Sequence, residues 1–262
     1  MSGPPSGPRP RPRLRRSIEL SLVVPVYNER ESLPLLVEEI GAALGGPGRE
    51  AGGAGPSYEI VAVDDGSTDG SLDVLKALKR DHPELHIVAF AANAGQTAAF
   101  AAGFQAARGR VIVTLDADLQ NDPADIPALV AELDRHGAAA VVGYRTHRHD
   151  SGWKRLQSRI ANGVRNRLNR ETIRDTGCSL KAFRADAVRA LPLFNGLHRF
   201  LPTLIKLQGG SVTEVPVRHR PRRFGKTKYG MWNRMFRSLA DAFAVRWMQR
   251  RVLRYRVREE LP

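Results

Sequence analysis

The chain has 262 residues, 42% of them hydrophobic, and 41 Lys and Arg against 27 Asp and Glu give it a net charge of +14. That is enough apolar material for one sizeable core, and no apolar run approaches the roughly 18–20 residues needed to span a bilayer. The single cysteine, Cys178, excludes an internal disulfide and reads as a small buried hydrophobe.

Residues 1–16 are rich in Pro, Arg and Gly with no apolar stretch. They read as a disordered basic tail and not as a secretory signal. A first strand follows over 18–26 and an amphipathic helix over 31–44. Residues 45–56, rich in Gly, Pro and Ala, form a surface loop. A second strand over 58–63 runs into Asp64-Asp65-Gly66-Ser67, a turn with helix-capping chemistry. A helix over 71–80, a strand over 86–90 and an Ala-rich helix over 97–108 come next. The fourth strand, 110–115, is apolar and β-branched and ends in Asp116-Ala117-Asp118-Leu119-Gln120. A helix over 123–135 opens with Pro, and a short strand covers 139–142. Strands alternating with helices predict βαβ units and a mostly parallel, doubly wound α/β sheet.

The pattern changes after Tyr144. A basic helix is predicted over 153–168, short helices over 182–191 and 199–207, and a strand over 212–217. A basic loop covers 218–229, and a last helix runs from 231 to about 254. Charge divides at the same place: 8 Lys and Arg face 19 Asp and Glu over 17–144, whereas 28 face 8 over 145–262. An acidic half suits a metal, and a basic half suits phosphates.

Asp116 and Asp118 are two apart beyond a strand, so both can face one point at the carboxyl edge of the sheet, where open α/β sheets bind ligands. Paired hard oxygen anions suit Mg2+ or Mn2+ shared with substrate phosphates. Glu29, after the first strand, and Asp65, after the second, fall on the same edge. Neither a Gly-x-Gly-x-x-Gly turn nor a P-loop is present, which argues against a dinucleotide fold and P-loop ATP hydrolysis.

The set Val24-Pro25-Val26-Tyr27-Asn28-Glu29, Val63-Asp64-Asp65-Gly66-Ser67 and Leu115-Asp116-Ala117-Asp118-Leu119-Gln120 resembles the family 2 glycosyltransferases of the GT-A nucleotide-sugar fold. Gly143-Tyr144-Arg145, Lys154-Arg155 with Ser158, Asp175 with Cys178, Arg199-Phe200-Leu201-Pro202 and Pro221 to Tyr229 make it similar to the polyprenyl-phosphate branch, the dolichol-phosphate mannosyltransferases and their bacterial relatives. The pieces span roughly 18–240. Thr227 and Ser179 depart from the usual Ser and Gly of that pattern.

The resemblance implies an inverting hexosyltransferase that uses a GDP-mannose or UDP-glucose type donor, a polyprenyl phosphate acceptor and Mg2+ or Mn2+. It implies that Pro25, Tyr27, Glu29, Asp64, Asp65, Ala117 and Gln120 meet the nucleotide sugar, Pro25, Tyr27, Glu29 and Asp65 at its base and ribose, with Asp64 equally readable as a turn-stabilising residue. Asp116, Asp118 and Gln120 would serve the metal and diphosphate, and Arg222 and Lys228 would clamp phosphates from a mobile loop turning at Gly225. Arg145, Arg155, Ser158 and Arg159 would grip the acceptor phosphate. Asp150 is a weak candidate base.

The expected organisation is a tail (1–16), a catalytic domain (17–229, divided at 144) and an amphipathic helix (230–262). That helix carries an apolar stripe of Trp232, Met235, Phe236, Leu239, Phe243, Trp247 and Met248 among arginines. The stripe suits a cytoplasmic protein bound peripherally to the inner face of an anionic membrane; packing on the domain or in a homodimer is the other use. Two further readings exist: a hydroxyl acceptor on a glycan or lipid, and a nucleic-acid-binding protein. The second leaves the acidic strand ends unexplained.

Overall fold

The structure, a computed structural model, describes residues 18–45, 55–146, 172–224 and 231–252. The expected basic helix over 153–168, most of the 45–56 loop and the chain termini lie outside them.

The strands are β1 (Leu20–Val26), β2 (Tyr58–Asp64), β3 (Leu85–Ala89), β4 (Val111–Thr114), β5 (Ala140–Arg145), β6 (Lys181–Arg184) and β7 (Val212–Val217). They make one sheet in the order β3-β2-β1-β4-β6-β5-β7. β1 pairs in parallel with β2 and β4, β2 with β3, and β5 with β7. β6 runs antiparallel between β4 and β5. The central strands are apolar without alternation because both faces are covered; β1 and β4 are buried almost throughout.

The helices are α1 (Leu33–Leu44), α2 (Ser71–Asp81), α3 (Gln96–Ala106), α4 (Ile126–Arg135), α5 (Ala185–Arg189), α6 (Leu201–Leu207) and α7 (Met231–Arg251). α1, α2 and α4 share one buried core with the sheet. α3, α5, α6 and α7 share the other. α3 lies close against β1 because residue 103 is glycine; a Cβ there would overlap Val23. The predicted doubly wound α/β sheet is the observed architecture.

Three predicted helices differ. The 182–191 stretch begins as strand β6 and only then turns into α5. Its residues read equally well as helix, but Ala182 packs in one core and Phe183 in the other. That two-sided burial holds the segment in the sheet, and tertiary packing outweighs propensity. The helices expected over 123–135 and 199–207 each open with a 3-10 turn, Pro123–Asp125 and Leu197–Phe200. In α7 the buried side is not the predicted stripe: Ala242 and Val245, which the stripe does not include, are buried, whereas of the stripe Met248 packs partly against the same core and Phe243 and Trp247 are 57% and 62% exposed.

Candidate functional site

The parallel strands β1, β2 and β4 deliver their following loops to one edge. The first two loops are tied together. Asn28 Oδ1 accepts from Thr68 N (2.8 Å), Ser67 Oγ accepts from Asn28 N (3.0 Å) and Ser71 Oγ accepts from Glu29 N (3.0 Å). Asn28 holds a left-handed backbone, φ 53°, which Asn tolerates better than most residues. Glu29 is thereby fixed at the mouth of the edge. Gly66 (φ 68°) has no room for a side chain; a Cβ would lie 2.5 Å from the Ala92 and Asn93 backbone.

The β4 loop is bent by Leu119, left-handed at φ 61°, an unfavourable conformation for a leucine. Burial of its side chain in the core holds it there. The bend brings Gln120 N back to Asp118 Oδ1 (3.1 Å). Asp118 is 8% exposed. Burial, and then the Asp116 charge, push its carboxyl up to about 6 against the pull of Arg222. Asp116 Oδ1 accepts from Gln96 Nε2 (2.9 Å) at the start of α3.

Arg222 comes from the far side of the sheet. Its guanidinium donates to Asp118 Oδ2 (2.6 Å) and Glu29 Oε1 (3.2 Å). The segment leading to it is an extended strap, tied by Arg220 N to Gln120 O (2.8 Å) and by a bridge between Asn121 and His219. Arg218 pairs with Asp122 and Asp125, and Arg220 with Asp122 and Glu39. Sequence reasoning took 218–229 as a loop and missed Arg218 and Arg220. Their two-residue spacing with Arg222, which puts side chains on one side of an extended chain, was the available signal.

The expected residues divide into groups. Glu29, Asp118 and Arg222 meet, with Asp116 as a close charged neighbour of Asp118. Pro25, Tyr27 and Ala117 stand on the same strand-end loops, Ala117 buried. Asp64 is 1% exposed; its Oδ2 accepts from Ser67 N (3.3 Å), and its Oδ1 has no partner. The turn role is therefore filled by one oxygen while the other stays available to a ligand.

Asp65 differs from expectation. Its Oδ1 accepts from Ala94 N (2.7 Å) and Gly95 N (3.1 Å), and its Oδ2 from Asn93 Nδ2 (2.9 Å) and Gly95 N (3.0 Å). A carboxylate has about four acceptor sites, so this one is filled by the loop before α3 and has none left for a base.

Arg145 also differs. Its Nε and Nη2 form a fork on Asp175 (2.7 and 3.0 Å), so the group expected to hold an acceptor phosphate is committed to a buried acid. Arg155, Ser158, Arg159, Asp150, Gly225 and Lys228 lie outside the described residues. Cys178 is buried, and burial pushes its thiol up, consistent with an inert hydrophobe.

Lys181 was missed. It is 4% exposed in β6, its ammonium donates to the Cys178 carbonyl, and burial pulls its pKa down while Cys178, Asp116 and Asp175 oppose that pull. A lysine inside a strand gave no signal of burial. His198 Nδ1 meets Thr97 Oγ1 (2.7 Å), which also accepts from Gly196 N (3.0 Å). These contacts are a structural arrangement at the start of α3, the direction of the Thr97–His198 bond being set by the imidazole tautomer.

The donor set suits a hard cation, since Asp118 offers carboxylate oxygen at a carboxyl edge. Among the described residues no three His, Cys, Asp or Glu side chains gather as a metal cage. The expected set of Asp116, Asp118 and Gln120 would bring two carboxylates to such a cation. Substrate phosphates and water would complete the shell.

The family model described as Glycosyl transferase family 2 matches residues 21–191. A dodecaprenyl-phosphate galacturonate synthase of Rhizobium johnstonii is 40% identical over 240 residues, 90% of this chain and 68% of that protein. An undecaprenyl-phosphate 4-deoxy-4-formamido-L-arabinose transferase of Yersinia enterocolitica is 40% identical over 218 residues, 81% of this chain; the match spans only 63% of that protein. Among solved structures, a mannosyltransferase from Pyrobaculum calidifontis with GDP-Man and Mn2+ superposes with TM-score 0.62 at 21% identity, covering 86% of this chain and 63% of that one. Glucosyl-3-phosphoglycerate synthase from Mycobacterium tuberculosis with Mn2+, UDP and phosphoglyceric acid gives 0.67 at 18%, covering 87% and 78%. At these identities the likeness is one of fold.

Proposed function

The chain belongs to glycosyl transferase family 2, and from that premise we propose that it transfers a hexose, with inversion, from a nucleotide sugar to a polyprenyl phosphate. One observation carries the donor half: the Glu29 and Asp118 carboxylates converge on a single guanidinium, Arg222, at the carboxyl edge. Such a cluster can exchange partners with a cation and a diphosphate while staying near charge balance. The acceptor half rests on the printed names of the two relatives at 40% identity.

In this reading Glu29 accepts from ribose hydroxyls and the orphaned Asp64 Oδ1 takes a donor on the nucleotide. Asp118 would hold Mg2+ or Mn2+, which supplies Lewis-acid neutralisation of the leaving diphosphate. Arg222 turns to the diphosphate, joined by Lys228, so that departure of the nucleoside diphosphate is stabilised electrostatically. A polyprenyl phosphate oxygen attacks the anomeric carbon, and the sugar–diphosphate bond breaks. A phosphate monoester with its second pKa near ~6 is already largely ionised at neutral pH, so no strong base is needed. Arg155, Ser158 and Arg159 hold that phosphate, while Arg145 is held by Asp175.

We place the catalytic unit over 17–229 and assign α7 to a membrane surface. No helix among the described residues is long and apolar enough to cross a membrane. Exposed Phe243 and Trp247 beside Arg246, Arg250 and Arg251 suit a helix lying at an anionic interface.

The test is a thermal-shift screen of GDP and UDP sugars with Mn2+, followed by transfer assays. A ligand that binds only the folded protein raises its Tm. One nucleotide sugar should stabilise, and radiolabelled sugar should appear on undecaprenyl phosphate. Transfer to a glycan hydroxyl with none to the lipid phosphate overturns the acceptor assignment.

A further inference from the structure

We propose that Arg222 is the resting occupant of the cation site, so that the divalent cation and the nucleotide diphosphate bind with strong positive coupling. The inference rests on the functional reading above and deepens it. The guanidinium donates to Asp118 Oδ2 at 2.6 Å and reaches Glu29 Oε1 at 3.2 Å. One planar fork therefore closes both carboxylates on which a donor and its cation depend. A divalent cation on Asp118 and a guanidinium on the same oxygen repel each other, so the cation must displace Arg222. Displaced from Asp118, Arg222 is left with Glu29 alone, because Arg218 and Arg220 already hold the neighbouring Asp122, Asp125 and Glu39. A diphosphate offers it what the strap does not: bidentate anionic oxygen next to the place it leaves. Each ligand thus removes the obstacle to the other.

The strap makes this a local exchange. Arg220 N on Gln120 O and the Asn121–His219 bridge anchor the backbone two residues before Arg222. The side chain can swing while its root stays fixed.

The test is Mn2+ binding to the full chain followed by electron paramagnetic resonance of the free ion, with and without GDP or UDP. Four proteins are compared: wild type, Arg222→Gln, Arg222→Lys, and Arg218→Gln as a control with the charge change of Arg222→Gln. Arg218 is 60% exposed and paired to Asp122 and Asp125. Wild type should bind Mn2+ alone weakly, and the nucleotide should tighten it within the roughly 5- to 150-fold range usual for coupled sites. Arg222→Gln should bind Mn2+ alone at least about tenfold tighter, with a smaller gain from nucleotide. Arg218→Gln should behave as wild type. Arg222→Lys, which keeps the charge but loses the planar fork, should fall between, and carries the comparison if Arg222→Gln does not melt cooperatively. Equal Mn2+ affinity in wild type and the Arg222 variants overturns the inference. So does an equal rise in Arg218→Gln, which would make the effect one of net charge. Should neither nucleotide bind any of these proteins with Mn2+ present, the functional reading fails, and the Mn2+-only comparison still decides whether Arg222 occupies the cation site.

Discussion

Asp65→Asn separates two roles for a residue that motif reasoning assigned to the nucleotide base. In the structure Asp65 is 3% exposed and accepts four hydrogen bonds from Asn93, Ala94 and Gly95. Asparagine keeps one oxygen. Whichever way the amide is turned, its NH2 faces two N–H donors. A hydrogen bond to a charged group contributes about 1.5–3 kcal/mol, and a buried donor left unsatisfied costs a similar amount. Asn93 can rotate its own side chain away, which limits the loss to about 2–4 kcal/mol. For a domain of this size that is a fall in Tm of about 5–12 °C, read by circular dichroism without ligand. Asn93→Ala, which removes one of the three donors, should lower Tm by about a third as much. Donor affinity measured well below the transition should change less than the stability does. A Tm within about 2 °C of wild type, with nucleotide affinity down tenfold, would refute the structural role and restore the base contact.

Asp118→Asn should abolish transfer yet raise the Tm of the ligand-free protein at pH 7.5. A carboxyl pushed up to about 6 is protonated more readily folded than unfolded, so its ionisation weighs against folding above that pH. The gain should vanish at pH 4, and a lower Tm at pH 7.5 would contradict it. Glu59→Gln should lower stability by about 2–3 kcal/mol at pH 7 with KM for donor unchanged, because Glu59 sits at the amino edge of β2. Burial opposes its ionisation, but hydrogen bonds from Arg108 and Ser21 and the Arg108 charge hold its pKa below the usual range. The stability it contributes is present above pH ~4.5 and is lost as pH falls through the folded value; a deficit that persists undiminished at pH 3 would count against it. Full-length protein should float with anionic vesicles at low salt, and both high salt and a Phe243→Ser/Trp247→Ser double variant should release it. Protein that stays in the soluble fraction at low salt would assign α7 wholly to packing.

The sheet and its carboxyl-edge loops were legible because they rest on local signals. The apolar run 111–115 with acids behind it, and the turn at 64–67, carry their structure in adjacent residues. β7, predicted over 212–217, has those limits in the structure. What was not legible depends on distant partners. Lys181 reads as a surface residue until β4 and β5 close on it. Arg145 reads as a free phosphate ligand until Asp175, thirty positions away, meets it. Asp65 reads as a ligand group because nothing nearby announces that Gly95 and Ala94 will fill it. Likewise the division of α7 into a docked and an exposed side follows from which of its residues join the core shared with α3, α5 and α6, not from its own period.

β6 has one more consequence. It enters the sheet between β4 and β5, so a strand from the basic half of the chain is wedged into the acidic half. The two halves differ in charge, yet β5, the last strand to begin in the acidic half, joins β3-β2-β1-β4 only through β6. A fragment ending near residue 145 would leave β4 and β5 with an empty lane between them, and two rows of backbone amides and carbonyls without partners. Acceptor preference in such a molecule cannot be exchanged between relatives as a cassette cut at 145. Grafts must keep 172–217 with its own β4 and β5 and confine themselves to the loops that leave the sheet.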